Sequence, residues 1–284
     1  MAQLVQLIGV QHNPLLYRRM LRAEEHPGMV EARAGYERMR QKLAAARPDV
    51  LLVIANDHLS QWFTDNMPAF LVGKAARAQG PFPHEREEFG LPPYAAPVAV
   101  EVARAIVEGG FERGVDFAYS DEFVLDHAFT LPLTFLRPEM DLPIVPLFTN
   151  VMAPPVPPAA RFYAVGEALR AIVAGLPAGL RVAVLGSGHL SVEIGGPRPM
   201  REAPDPEFDA SVVGHVREGD VAGLLRDASW ERMLRAGNFT AGLLNFVALV
   251  GVAGGQPATA ADCVFLRTSS TPFFSWDLDP EARR

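Results

Sequence analysis

Val50-Leu51-Leu52-Val53-Ile54-Ala55-Asn56-Asp57-His58 is the stretch on which the fold turns. Six consecutive apolar residues without polar alternation describe a strand buried on both faces, as in a parallel sheet covered by helices. Just upstream, residues 29–46 are charged, Ala-rich and helically periodic, and Pro48 lies just beyond them. Outward from this pair the alternation continues. Residues 4–10, 69–72, 117–119, 144–148, 181–185 and 263–266 read as strands. Residues 96–108, 131–135, 159–174, 208–216, 221–226 and 242–252 read as helices, the first of them closed by Gly109-Gly110. Residues 79–93, with four prolines and mixed charge, read as a loop. Strands spaced by helices predict an α/β domain whose central sheet is largely parallel or mixed and flanked by helices. The alternation runs on across the Pro-rich residues 154–158, so residues 1–284 read as one domain.

Composition narrows the function classes. The 284 residues are 49% hydrophobic and 21% charged, with a formal net charge of −7. No Lys/Arg cluster stands out, which argues against a nucleic-acid partner. The single cysteine, Cys263, excludes an intramolecular disulfide and any zinc site built from several thiolates. The first ten residues have no basic n-region and read as a strand rather than a signal peptide. Residues 241–253 are apolar but too few to span a bilayer. A cytoplasmic protein without a membrane partner is expected, with homo-oligomerisation left open.

Four of the seven histidines fall just after strand-like segments: His12 after residues 4–10, His58 after 50–55, His127 after the segment ending near Val124, and His189 after 181–185. Loops at the carboxyl ends of parallel strands meet at one edge of the sheet and form the ligand crevice. One such histidine is more often a surface or hydrogen-bonded residue than a ligand. Four at equivalent positions point to a metal site, because neutral imidazole is the commonest metal ligand. His26, His84 and His215 lack this placement and read as exposed or loop residues. Gly186-Ser187-Gly188 lacks both phosphate-loop spacing and the G-x-S-x-G elbow, so it reads as close backbone packing rather than a phosphate cradle or a hydrolase nucleophile. Trp62, Phe63, Phe82 and Phe89 are candidates to line an aromatic-substrate pocket, although aromatics belong to cores more often than to pockets.

Several segments carry a resemblance. Asn56-Asp57-His58 after a buried strand, Asp126-His127-Ala128-Phe129-Thr130-Leu131-Pro132-Leu133 and Pro146-Leu147-Phe148-Thr149-Asn150 resemble the catalytic subunits of protocatechuate 4,5-dioxygenases. Asp65-Asn66-Met67-Pro68-Ala69-Phe70 is similar to the gallate-type branch of the same class III extradiol superfamily. Asp205-Pro206-Glu207-Phe208-Asp209 and residues 237–251 match in kind. The order of the motifs, from His12 to about Gly251, makes the case. The resemblance implies ring opening of a small hydroxylated, catechol- or gallate-like aromatic with O₂ at Fe(II). It implies His12 and His58 as metal ligands, a facial arrangement completed by one carboxylate, and His127 as the residue that binds a substrate hydroxyl.

The sequence departs from the family pattern twice. The family's metal glutamate opens a Glu-aliphatic-x-x-aromatic pattern on the closing helix, and here Gly242-Leu243-Leu244-Asn245-Phe246 puts glycine in its place. The family's acid/base histidine lies in a Gly-Gly-x-Ser-His turn, and here Gly188-His189-Leu190-Ser191-Val192 has valine there, with His189 three residues earlier. His189 is therefore the candidate for proton transfer. Glu193, Asp57 and Asn238 are the candidates to replace the missing carboxylate. Three readings stay open: an Fe(II) extradiol dioxygenase, a non-catalytic paralogue or partner subunit on the same fold, and a zinc-dependent hydrolase.

Overall fold

The computed structural model describes residues 1–22, 26–195, 205–266 and 269–279. The strand of the opening stretch is β2 (Val50–Asn56). Its side chains alternate between two apolar clusters: Val50, Leu52 and Ile54 enter one, Leu51, Val53 and Ala55 the other. This explains the unbroken apolar run, since a strand buried on both faces has no side to leave polar. The other strands of the main sheet are β1 (Gln3–Gln11), β3 (Phe70–Gly73), β6 (Ala118–Ser120), β7 (Ile144–Thr149), β8 (Arg181–Gly188), β9 (Ala260–Val264) and β10 (Thr271–Asp277). They lie in the order β6-β3-β7-β2-β8-β1-β10-β9.

The four central strands β7, β2, β8 and β1 are mutually parallel. Antiparallel pairings occur where β3 meets β7 and where β10 meets β1 and β9. The sheet is thus mixed, with a parallel centre, and its register aligns the strand ends: Gln11 faces Gly188, and Asn56 faces Thr149.

Helices cover both faces. On one side lie α4 (Val100–Phe111), α6 (Ala159–Gly175), α7 (Pro206–Glu218), α8 (Val221–Asp227), α9 (Trp230–Ala236) and α10 (Leu243–Ala253). The other side carries α1 (Tyr17–Leu21), α2 (Pro27–Ala46) and α5 (His127–Leu136). Every residue of α10 is buried. It packs on α6 closely enough that a Cβ on Gly166 would lie 2.0 Å from the Ala248 carbonyl oxygen, so only glycine fits that crossing. The run 154–158 separates no domains, because the β7 and α6 side chains on either side of it share one core.

Some boundaries differ from the sequence expectation, each for a local reason. Residues 79–93 are not all loop. They hold the end of β4 (Arg77–Gly80) and the helix α3 (Pro83–Phe89), β5 (Tyr94–Pro97) follows directly, and β4 and β5 pair antiparallel. The prolines bracket α3 rather than break it: Pro83 stands in its first turn, where a missing N–H costs nothing. The helix expected from residue 96 starts at Val100, because Pro97 biases Ala96 toward extended backbone. The helix expected over 131–135 begins at His127, where the Asp126 side chain accepts from the Ala128 N–H. The late strand expected over 263–266 is β9, ending at Val264. β10 and α9 were not anticipated. β10 reads Thr-Pro-Phe-Phe-Ser-Trp-Asp and carries no alternation, being sandwiched between both cores.

Candidate metal centre

His12 and His189 directly follow the carboxyl ends of β1 and β8, and His58 lies two residues past the end of β2; the three strands are neighbours in the sheet. His127 is the first residue of α5, which lies against β2 and β8. The four rings converge. The His12 ring centroid lies 4.0 Å from that of His189, 5.3 Å from His58 and 5.8 Å from His127. The His58 and His127 rings stack at 4.1 Å. His12, His127 and His189 are buried, and His58 is nearly so.

Each ring but one has a partner that sets its tautomer. His12 Nδ1 lies 2.9 Å from Ser187 Oγ, and Ser187 donates its proton to the Ala128 carbonyl at 2.6 Å. Ser187 therefore accepts from His12 Nδ1–H, which leaves His12 Nε2 as a lone pair. That atom is buried and has no hydrogen-bond partner. The Ala128 carbonyl is open to Ser187 for a sequence reason: Pro132, four residues on in α5, has no N–H to offer it.

His58 donates from both its backbone N–H and Nδ1 to Asp126 Oδ2, each at 2.8 Å. The Asn56 amide approaches His58 Nε2 at 3.3 Å, and Asn56 Oδ1 accepts from Asn245 Nδ2. Asn245, fully buried on α10, also donates to the Ser187 carbonyl and accepts from Thr149 Oγ1. His127 Nδ1 lies 2.5 Å from Glu85 Oε1, which also accepts the His127 backbone N–H. Neither ring nitrogen of His189 has a hydrogen-bond partner among the described residues.

Burial governs the charges. It pushes the His127 and His189 imidazoles down to about 3, helped by the nearby His58 charge, and takes His12 well below its usual value, with His189, His58 and His127 adding to the effect. Burial also opposes the His58 imidazolium, but the Asp126 carboxylate, seconded by Glu85 and Asp57, outweighs it and the net shift is upward. Burial raises Glu85, and it lifts Asp57 to about 6 with Asp126 adding to the effect. His12 and His189, both held neutral and the first with a bare buried nitrogen, converge with His58 into a donor set suited to a divalent transition metal.

The candidates for the missing carboxylate are elsewhere engaged. Asp57 Oδ2 accepts from the backbone of Ser60, Gln61 and Trp62. Glu193 Oε2 accepts from the Asn238 N–H, and the Asn238 side chain is bound to the Ile194 backbone. Among the described residues, the groups able to converge on an ion are His12–His58–His189 and His58–Asp126–His127, and none of the three candidates belongs to either.

The other sequence candidates sort by contact. Phe89 packs on His127 and Trp62 on Phe148, whereas Phe82 stacks on the exposed His84, and Phe63 is exposed. His26 caps α2, and His84 lies on α3. His215 is neither exposed nor in a loop: it sits on α7 between Asp220 and Asp227. Glu85 is the polar residue that sequence reasoning missed, because it lies in the stretch read as loop. Its signal was the helix start itself, a proline after Phe82 and a glutamate three residues after Phe82 whose Oε2 accepts the Phe82 N–H.

Residues 6–273 match the family described as the catalytic LigB subunit of aromatic ring-opening dioxygenase. The chain belongs to this family. Among LigB relatives, it is 34% identical over 180 residues to the 2,3-dihydroxyphenylpropionate/2,3-dihydroxicinnamic acid 1,2-dioxygenase of Escherichia coli strain K12, and by the same figures to that of strain O139:H28. The match covers 63% of this chain and 51% of the relative, so the chain spans about half the length of the curated relatives it matches. The crystal structure of an uncharacterized protein, JW3007, from Escherichia coli K12 shares the fold, with a TM-score of 0.58 at 16% identity over 96% of this chain and 99% of that one. As a LigB-family domain, the chain carries its imidazole cluster at the sheet edge where the central parallel strands end. No helix among the described residues is long and apolar enough to cross a membrane.

Proposed function

We propose that the protein is an extradiol-type dioxygenase that opens the ring of a small hydroxylated, catechol- or gallate-like aromatic with O₂ at Fe(II). The observation that carries this reading is the bare, buried Nε2 of His12 facing a cluster of neutral imidazoles in a LigB-family chain. His12 and His58 would hold the metal. Bound there, Fe(II) would supply adjacent sites for a diol and for O₂ and a path for electrons between them. The protein's own residues prepare that site. Ser187 and Asp126 fix the tautomers of His12 and His58 and turn each Nε2 outward. His127, backed by Glu85 and packed on Phe89, presents its Nε2 where a substrate hydroxyl can share a proton with it. The buried shell excludes bulk water from that exchange.

The test is oxygen uptake by Fe(II)-loaded protein with catechol, protocatechuate and gallate. The expected result is O₂ consumed mole for mole with loss of the aromatic absorption. His58→Ala should abolish both metal binding and uptake, and His127→Phe should keep metal and lose turnover. Gly242 in place of a carboxylate favours a second reading, a non-catalytic paralogue. Metal-loaded protein that consumes no O₂ with any of the three diols would decide for it.

A further inference from the structure

We propose that His189 is the third metal ligand, so that the centre is a face of three imidazoles, His12, His58 and His189, with no protein carboxylate bound to the ion. The inference rests on the metal-dependent reading above and changes what His189 does: it holds metal instead of moving a proton.

Four observations converge on it. The ligand atoms of His12, His58 and His189 all lie within 4.8 Å of one another. Imidazole nitrogens about 2.1 Å from an ion and at right angles to one another stand roughly 3 Å apart, so small ring rotations close the set. His127 does not compete, because no convergent group among the described residues contains both His12 and His127. Its Nδ1 is also held by Glu85.

Second, the two rings deepest in the cluster, His12 and His189, are also the closest pair, at 4.0 Å. His12 presents to that contact a buried Nε2 without a partner. A buried ring nitrogen with nothing bound to it forgoes a hydrogen bond, a cost that a ligand removes. Third, Asp126, the one carboxylate in the alternative group, is already used. Its Oδ1 caps α5 and its Oδ2 takes two N–H groups from His58.

Fourth, the glycine at the family's carboxylate position is explained by His189. A Cβ on Gly242 would lie 2.9 Å from the His189 backbone nitrogen, 3.1 Å from its ring Cδ2 and 3.2 Å from its Cβ. Gly188 shows the same closeness from the end of β8, since a Cβ there would sit 2.4 Å from the Gly242 carbonyl oxygen. The two departures from the family pattern are therefore one change: a ligand has moved from the closing helix to the end of β8, and the helix has lost its side chain to admit it.

The ligand field differs accordingly. Three neutral imidazoles leave both charges of a divalent ion uncompensated at the first contact, and the negative charge sits one residue behind, on Asp126 against His58. Such a set favours metals that take nitrogen donors and relies on an anionic diol to complete the charge.

The test uses the full chain stripped of metal and titrated with Co(II), whose visible absorption and paramagnetic NMR shifts report its ligands. About one Co(II) per chain and three shifted, exchangeable imidazole N–H signals are expected. Two such signals would overturn the proposal, and this reading needs no variant to fold. His189→Gln should weaken Co(II) binding at least 10-fold, as should His12→Ala, while His127→Phe stays within about threefold of the parent. The double change His189→Gly with Gly242→Glu should recover binding with an altered visible spectrum, whereas Gly242→Glu alone should not improve it. If His189→Gln binds as the parent while His12→Ala fails, His189 is no ligand and the two-histidine centre stands. If His12→Ala also binds as the parent, the metal reading itself falls and this proposal with it.

Discussion

The two halves of the imidazole cluster are braced in opposite ways. On the β2–α5 side, His58 and His127 each lean on a buried carboxylate, Asp126 and Glu85. On the β1–β8 side, His12 leans on a neutral hydroxyl, and His189 has no hydrogen-bonded brace among the described residues. The first half can carry charge and holds its rings by charge-assisted bonds, and the second is neutral and positioned by packing. A cation placed among the four would draw neutral donors from one side and a carboxylate-strengthened donor from the other. The acidic charge thus stands behind the ligands rather than beside them.

The largest effect that would break this contrast is pH dependence. His189, held near 3 against about 6.5 in the unfolded chain, contributes stability that is fully present above pH 6.5 and lost as pH falls toward 3. In metal-free protein, His189→Leu should therefore gain on wild type as pH is lowered from 6.5, by up to about 1.4 kcal/mol per pH unit. His58 has the opposite sign: its raised value gives stability that is full below pH 6.5 and lost as pH rises through the folded pKa. Wild type minus His58→Leu should thus change only above pH 6.5. Urea titrations from pH 5 to 8 measure both, and slopes of the same sign would dissolve the contrast.

Next comes Asp126→Ala. It removes the cap of α5 and leaves two His58 N–H groups without an acceptor, for a loss of about 3 kcal/mol by chemical denaturation. Metal affinity should fall 10- to 100-fold. On the neutral side, Ser187→Ala strands His12 Nδ1–H and opens the Ala128 carbonyl, for about 2 kcal/mol and a smaller loss of metal affinity. A Ser187 effect on metal larger than that of Asp126 would reverse the ranking of the two sides. Smallest is Glu85→Gln. It keeps an acceptor for both His127 N–H groups but removes the charge and the oxygen that accepts the Phe82 N–H, so stability should fall by about 1 kcal/mol. Turnover should fall while metal content, measured by elemental analysis, stays constant.

The sequence by itself determined the layered α/β fold, since β2 and the strands beside it are uniformly apolar and only a sheet covered on both faces buries them. It also placed His12, His58 and His189 at one edge, because parallel strands with helical connections end on the same side, whereas His127 reaches that edge from the start of α5, since β6 before it runs antiparallel to the central strands. Tertiary structure alone decided the partners of those histidines. Glu85 reaches His127 from 42 residues away in a segment whose prolines mask a short helix. Ser187 can orient His12 only because Pro132, on a different element, frees the Ala128 carbonyl. Whether Gly242 is a lost ligand or room for a new one was likewise not readable from residue order, since its neighbour His189 lies across the packed contact between β8 and the start of α10. The alternation of strands and helices follows from local periodicity, whereas ligand geometry depends on side chains that meet only when the layers close.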